Sequence, residues 1–110
     1  MVSYFVRYRG TAENASAFTE YYATSRARVL QRFPGIRALY LHSAVPSHDP
    51  FPVRPGGTFL LAQMAFDTAG ELDAALRSQA RQQAREDFVH FPAFQGEVTH
   101  EAMRRRAIFE

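Results

Sequence analysis

FTEYYATSRARVLQRFPGIRALYL, residues 18–41, decides the fold. Phe18, Tyr22, Ser25, Val29 and Phe33 recur at the spacing of one helix face, and Tyr21 and Leu30 widen the stripe. Glu20, Arg26, Arg28 and Gln31 fill in around it. The stop is physical: Pro34 disfavours helical geometry at Phe33, and Gly35 supplies the turn. Residues 37–45, rich in Leu, Tyr and Val, then read as a strand buried on at least one face.

The neighbouring stretches repeat this order. Residues 2–9 alternate as a strand, with Val2, Tyr4, Val6 and Tyr8 on one face and Ser3, Phe5, Arg7 and Arg9 on the other. Asn14 is placed to cap the first helix. After the second strand, PSHDPFPVRPGG (residues 46–57) carries four prolines and two glycines, so it is a stiff loop, a lid or an interface arm. Residues 59–66 form a third strand, apolar on both faces except for Gln63. Thr68 and Glu71 fit a capping box for a second helix. Its inward stripe is Leu72, Ala75, Leu76, Gln79, Ala80 and Gln83, and residues 81–87 are expected to face water. Phe88, Phe91 and Phe94 close this region on the core, and residues 95–103 give a last strand.

The order β-α-β-β-α-β predicts a ferredoxin-like α+β fold, an antiparallel four-stranded sheet in the order 4-1-3-2 with both helices on one face. At 110 residues the chain is expected to form a single domain, residues 1–110. The third strand is apolar on both sides, so the helix-free face needs a cover, and a second copy of the chain is the economical one.

Composition removes several chemistries. There is no cysteine, hence no disulfide, thiolate nucleophile or Cys-based metal site. All 13 basic residues are arginine, so neither a Schiff-base lysine nor a P-loop lysine exists. HExxH, G-x-S-x-G and G-x-G-x-x-G motifs are absent, and neither a metal nor a cofactor is expected. No apolar run is long enough to span a membrane, and the start reads as a strand rather than a signal segment, which gives a cytoplasmic reading. Arg104, Arg105 and Arg106 make an exposed basic tail too small for a nucleic-acid face.

The Tyr21-Tyr22 pair before an arginine-rich helix end, PGIRALYLH (residues 34–42), LLAQMAFDTAGELDAAL (residues 60–76) and FPAFQGEVTHEAM (residues 91–103) resemble the EthD-like family of the dimeric α+β barrel superfamily. The resemblance covers nearly the whole chain. It implies a homodimer whose two sheets form a barrel, with helices outside and a small-molecule pocket in each protomer. Relatives include muconolactone-type isomerases, polyketide cyclases and cofactor-free monooxygenases. One departure stands out. Where relatives often carry a histidine eight residues before the Pro-Gly stop, and a proline two residues later, this chain has Arg26 and Arg28. Arginine stays protonated near neutrality and cannot serve as a general base there.

Candidate chemistry therefore rests on other residues. His42 beside Tyr40 suits acid–base work or oxyanion binding, and equally a satisfied structural role. His100, in the last strand, is placed to reach the pocket or to meet His42 across the dimer seam. Tyr4, Tyr8, Tyr22 and Arg26 are the expected substrate-binding side chains, with Arg26 holding a carboxylate or enolate oxygen. His48, in the proline loop, is read as exposed, and His90, near a helix end, as structural. Three functions follow, the first two being a cofactor-independent isomerase, cyclase or monooxygenase-like enzyme acting on an aromatic, lactone or polyketide-like catabolite, and a non-catalytic auxiliary or carrier of an oxygenase pathway. A stress-type dimer with a vestigial pocket is a third.

Overall fold

The computed structural model describes all 110 residues. Four strands, β1 (Val2–Ala12), β2 (Ala38–Ser43), β3 (Leu60–Phe66) and β4 (Phe94–Arg104), form one sheet in the order β2-β3-β1-β4. Every neighbouring pair is antiparallel. Read from the other edge this is the expected ferredoxin-like order. β1 and β4 run longer than their hydrophobic patterns suggest, because they pair continuously from Val2↔Arg104 to Ala12↔Phe94. β2 is shorter than expected, ending at Ser43 ahead of Pro46.

The first helix begins at Asn14, whose side-chain Oδ1 accepts from the Ala17 amide at 3.0 Å. It runs as α1 (Ala15–Tyr21), a π-helical turn (Tyr22–Arg26) and α2 (Ala27–Leu30) without a break. Phe18, Tyr22, Arg26, Leu30 and Phe33 are the residues it buries. Ser25, expected in the stripe, is exposed, and Arg26 takes the inward place. The reason is phase. Four residues of α-helix turn through about 400°, so inward positions spaced by four drift off the face by about 40° each. The wider π turn absorbs the extra residue and keeps 18, 22, 26 and 30 in line. Residues 31–35 close the element, with Gly35 at φ +78° in the left-handed region.

The second helical segment differs from a single helix. α3 (Ala69–Leu76) is capped by Thr68, which accepts from the Glu71 amide at 3.1 Å. It stops at Arg77. Ser78 then accepts from the Arg81 amide and caps a new helix, α4 (Gln79–Glu86), which ends in a 3₁₀ turn (Asp87–His90). Restarting at Ser78 re-aims the polar half: Gln79 and Gln83 face water, whereas Ala84 is buried against the core.

The sheet sorts its residues by parity. Val2, Val6 and Tyr8 of β1 and Leu60, Ala62, Met64 and Phe66 of β3 pack under the helices. The opposite face is open and carries Ser3, Phe5, Gln63, Tyr40 and His42. At the far end of the β1–β4 ribbon, Gly10 and Gly96 sit opposite each other with φ of +146° and +151°. A Cβ on either would collide with the backbone of the other strand. Gly96→Ala is therefore expected to cost at least about 2 kcal/mol in urea unfolding. A change below about 0.5 kcal/mol would show that this close approach is not needed.

Candidate functional site

A cleft opens between the helix-side face of the sheet and α4. Tyr4 and Val6 of β1, Met64 of β3 and His100 of β4 form its floor. Tyr22, Arg26 and Leu30 of the first helix, and Arg81, Ala84 and Arg85 of α4, form the walls, with Phe88 at one side. Its volume is about 440 Å³ with the open mouth included. No carboxylate lines it, while three guanidinium groups do.

Arg26 is the centre of the wall. Only 6% of it is exposed. Its Nη1 donates to the Ala84 carbonyl at 2.5 Å and to Asp87 Oδ2 at 3.4 Å. Asp87 Oδ1 accepts from the Tyr21 hydroxyl at 2.6 Å. The guanidinium also lies over the rings of Phe88 and Phe91, at 5.0 and 5.1 Å. Asp87 is thus already engaged, and the positive field of Arg81 and Arg85 is left uncompensated on the wall.

Tyr8 Oη, Tyr22 Oη and Arg26 Nε are buried together, with no hydrogen-bond partner beyond one another. The two tyrosine rings stand 5.8 Å apart. Burial raises the pKa of both hydroxyls, for Tyr22 against the opposing pull of Arg26, so both remain protonated donors at neutral pH. Buried donors that have only one another beside a cleft have unused capacity for a ligand oxygen or water.

His100 stacks on Tyr4 with ring centroids 5.9 Å apart. Desolvation, then the charges of Arg81, Arg26 and Arg85, lower its pKa below the ordinary 6.5. The ring is therefore neutral at pH 7 and available as a proton acceptor. The folded chain binds fewer protons here than the unfolded one between the lowered value and 6.5, so this group costs stability as the pH falls through that window.

The cleft gathers four of the residues singled out from sequence, Tyr4, Tyr22, Arg26 and His100, and Tyr8 stands just beyond Tyr22. Tyr40 and His42 are elsewhere. They project from the open face of the sheet, where the register pairs them with Gln63 and Leu61. His42 Nε2 bonds Gln63 Oε1 at 3.0 Å, and Gln63 Nε2 donates to Ser3 Oγ at 3.2 Å. His42 and His100 thus lie at opposite edges and on opposite faces of the sheet, because alternation sends each to the side its parity sets. His48 and His90 are exposed. No group of three His, Asp or Glu side chains is arranged to hold a metal ion. Arg81, Arg85 and Asp87 were missed from sequence, where the polar run was assigned to water. The small residues Ala80 and Ala84, one turn apart, were the signal for the inward side.

No family model and no curated protein matches the chain. Solved structures do. An EthD family protein from Bacillus halodurans is matched at TM-score 0.72 and 20% identity, over 96% of this chain and 100% of that one. A monooxygenase from Streptomyces coelicolor, solved with the ligand nanaomycin D, is matched at TM-score 0.69 and 12% identity, over 99% and 90%. A dimeric ferredoxin-like protein from Thermobifida fusca is matched at TM-score 0.61 and 9% identity, over 93% and 88%. The chain shares their fold. At these identities the likeness is one of architecture, and it agrees with the resemblance read in the sequence.

Two measurements check the site. Asp87→Ala is expected to cost about 3 kcal/mol in urea unfolding, because it strands a buried guanidinium; Tyr21→Phe should cost only about 1 kcal/mol. Equal losses would contradict the ranking. By NMR, His100 should titrate below 6.5 and move upward in Arg81→Ala. A midpoint at or above 6.5 in the intact protein would contradict the field described here.

Proposed function

We propose that the chain binds a small anionic organic molecule in the sheet–helix cleft and that His100 exchanges a proton with it. The observation that carries this reading is the convergence of Arg26, Arg81 and Arg85 with a neutral imidazole on a cleft whose wall has no carboxylate. The arginines would hold a carboxylate or enolate. Tyr22, and Tyr8 behind it, would donate to a developing oxyanion. His100 would take a proton from the adjacent carbon or oxygen and return it elsewhere. That is an isomerase- or cyclase-like step on an aromatic, lactone or polyketide-like compound, needing no cofactor. The chain would work as a cytoplasmic homodimer, its open sheet face against a second copy, with Tyr40 and His42 in that contact rather than in the chemistry.

The carrier reading rests on the same cleft without proton transfer. Deuterium uptake separates the two. A bound enolisable keto acid should exchange its acidic C–H in D₂O in the presence of the protein. His100→Gln should slow that exchange by about 10²-fold or more while leaving affinity within about threefold. Binding without any exchange in the unmodified protein would leave the carrier. Binding should also tighten as the pH falls toward the His100 midpoint, because a bound anion favours the imidazolium.

A further inference from the structure

We infer that the cleft continues past Phe88 into a second, apolar lobe, and that its ligand is an elongated aryl acid spanning both. The inference rests on the anion-binding reading above and adds the shape and class of the molecule bound.

Phe88 borders both spaces. On the floor they lie end to end. β1 contributes Val6 to the first and Tyr8 to the second, and β4 contributes His100 to the first and Val98 and Gly96 to the second. These residues share one face of neighbouring strands, in the registers Val6↔His100, Tyr8↔Val98 and Gly10↔Gly96. The four residue steps from Gly96 to His100 span about 13 Å, roughly twice the length that a single-ring acid fills. Phe88 sits on the 3₁₀ turn at the boundary of the two spaces, 40% exposed, with its ring against the Arg26 guanidinium and Phe91.

The two lobes differ in chemistry. The second has a volume of about 650 Å³ with its open side included, and no charged side chain lines it. Its walls are aromatic: Tyr8 meets Phe94 edge-on at 5.7 Å, and Phe18 meets Phe91 at 5.6 Å. Such walls favour a flat aromatic body, whose ring pairs with them edge-to-face beyond simple area burial, over an alkyl chain. The buried hydroxyls of Tyr8 and Tyr22, with no partner beyond each other and Arg26, stand at the junction, where the second lobe's Tyr8 faces the first lobe's Tyr22. They would meet a carbonyl or phenolic oxygen in the middle of the molecule. The acid group would lie at Arg81 and Arg85, and the rings beyond Phe88.

Calorimetric titration with benzoate, biphenyl-4-carboxylate and decanoate tests this. Biphenyl-4-carboxylate should bind at least tenfold more tightly than benzoate and than decanoate. Ala93→Trp, which fills the second lobe from its exposed rim, should abolish that advantage and leave benzoate within twofold; Val98→Phe, from the floor, should do the same. Equal affinities, a preference for decanoate, or an advantage untouched by both substitutions would overturn the inference while leaving the anion site intact. Failure of every acid to bind would overturn the anion site itself and the second lobe with it. Competition that grows with protein concentration would assign the second lobe to a neighbouring copy and overturn the ligand.

Discussion

The structure depends on a buried guanidinium. A cation removed from water must be paired, hydrogen-bonded or stacked, or it destabilises the fold by several kcal/mol. Arg26 obtains all three forms of compensation from one short segment, residues 84–91: a carbonyl, a carboxylate and two ring faces. That requirement ties the first helix to the end of α4. It also explains the π turn, which keeps position 26 in line with Tyr22 and Leu30 above the sheet. Without the wider turn the inward place would fall to Ser25, and no cation would stand behind the cleft.

The electrostatics of the cleft follow from how that charge is compensated. Asp87 is shared between Arg26 and Tyr21, and burial, then the hydrogen bond to Asp87, push the Tyr21 hydroxyl up to about 12. Arg81 and Arg85 have no counterpart on the wall, so the space between sheet and helix is positive. Desolvation, reinforced by the same field, holds His100 neutral, and burial holds the two tyrosines protonated. An anion entering the cleft meets donors and one acceptor already in the charge states that proton transfer requires.

The Asn14 and Thr68 caps and the Pro34-Gly35 stop were legible because each depends on local sequence, and the strand order because the succession of elements implies one topology. The parity of β1 was legible too: Tyr4 and Tyr8 share the face that the structure turns to the helices. Two features were not. A π turn changes the phase of a helix by one residue, and ideal periodicity therefore chose Ser25 over Arg26. The second helix breaks at Ser78, whose side chain offers a new cap, and a polar run that looked solvated instead turns Arg81 and Arg85 to the cleft. Tyr40 and His42 illustrate the limit of reading residue types. Their chemistry is suitable, but their parity places them on the face without helices.

The central claim is that an organic anion binds on the helix side of the sheet. A crystal structure with 4-bromobenzoate, located by bromine anomalous scattering, tests it most directly. One bromine per chain is expected between β4 and α4, with the carboxylate within about 3 Å of Arg81 or Arg85. Bromine on the opposite face, beside Tyr40 and His42, would contradict it.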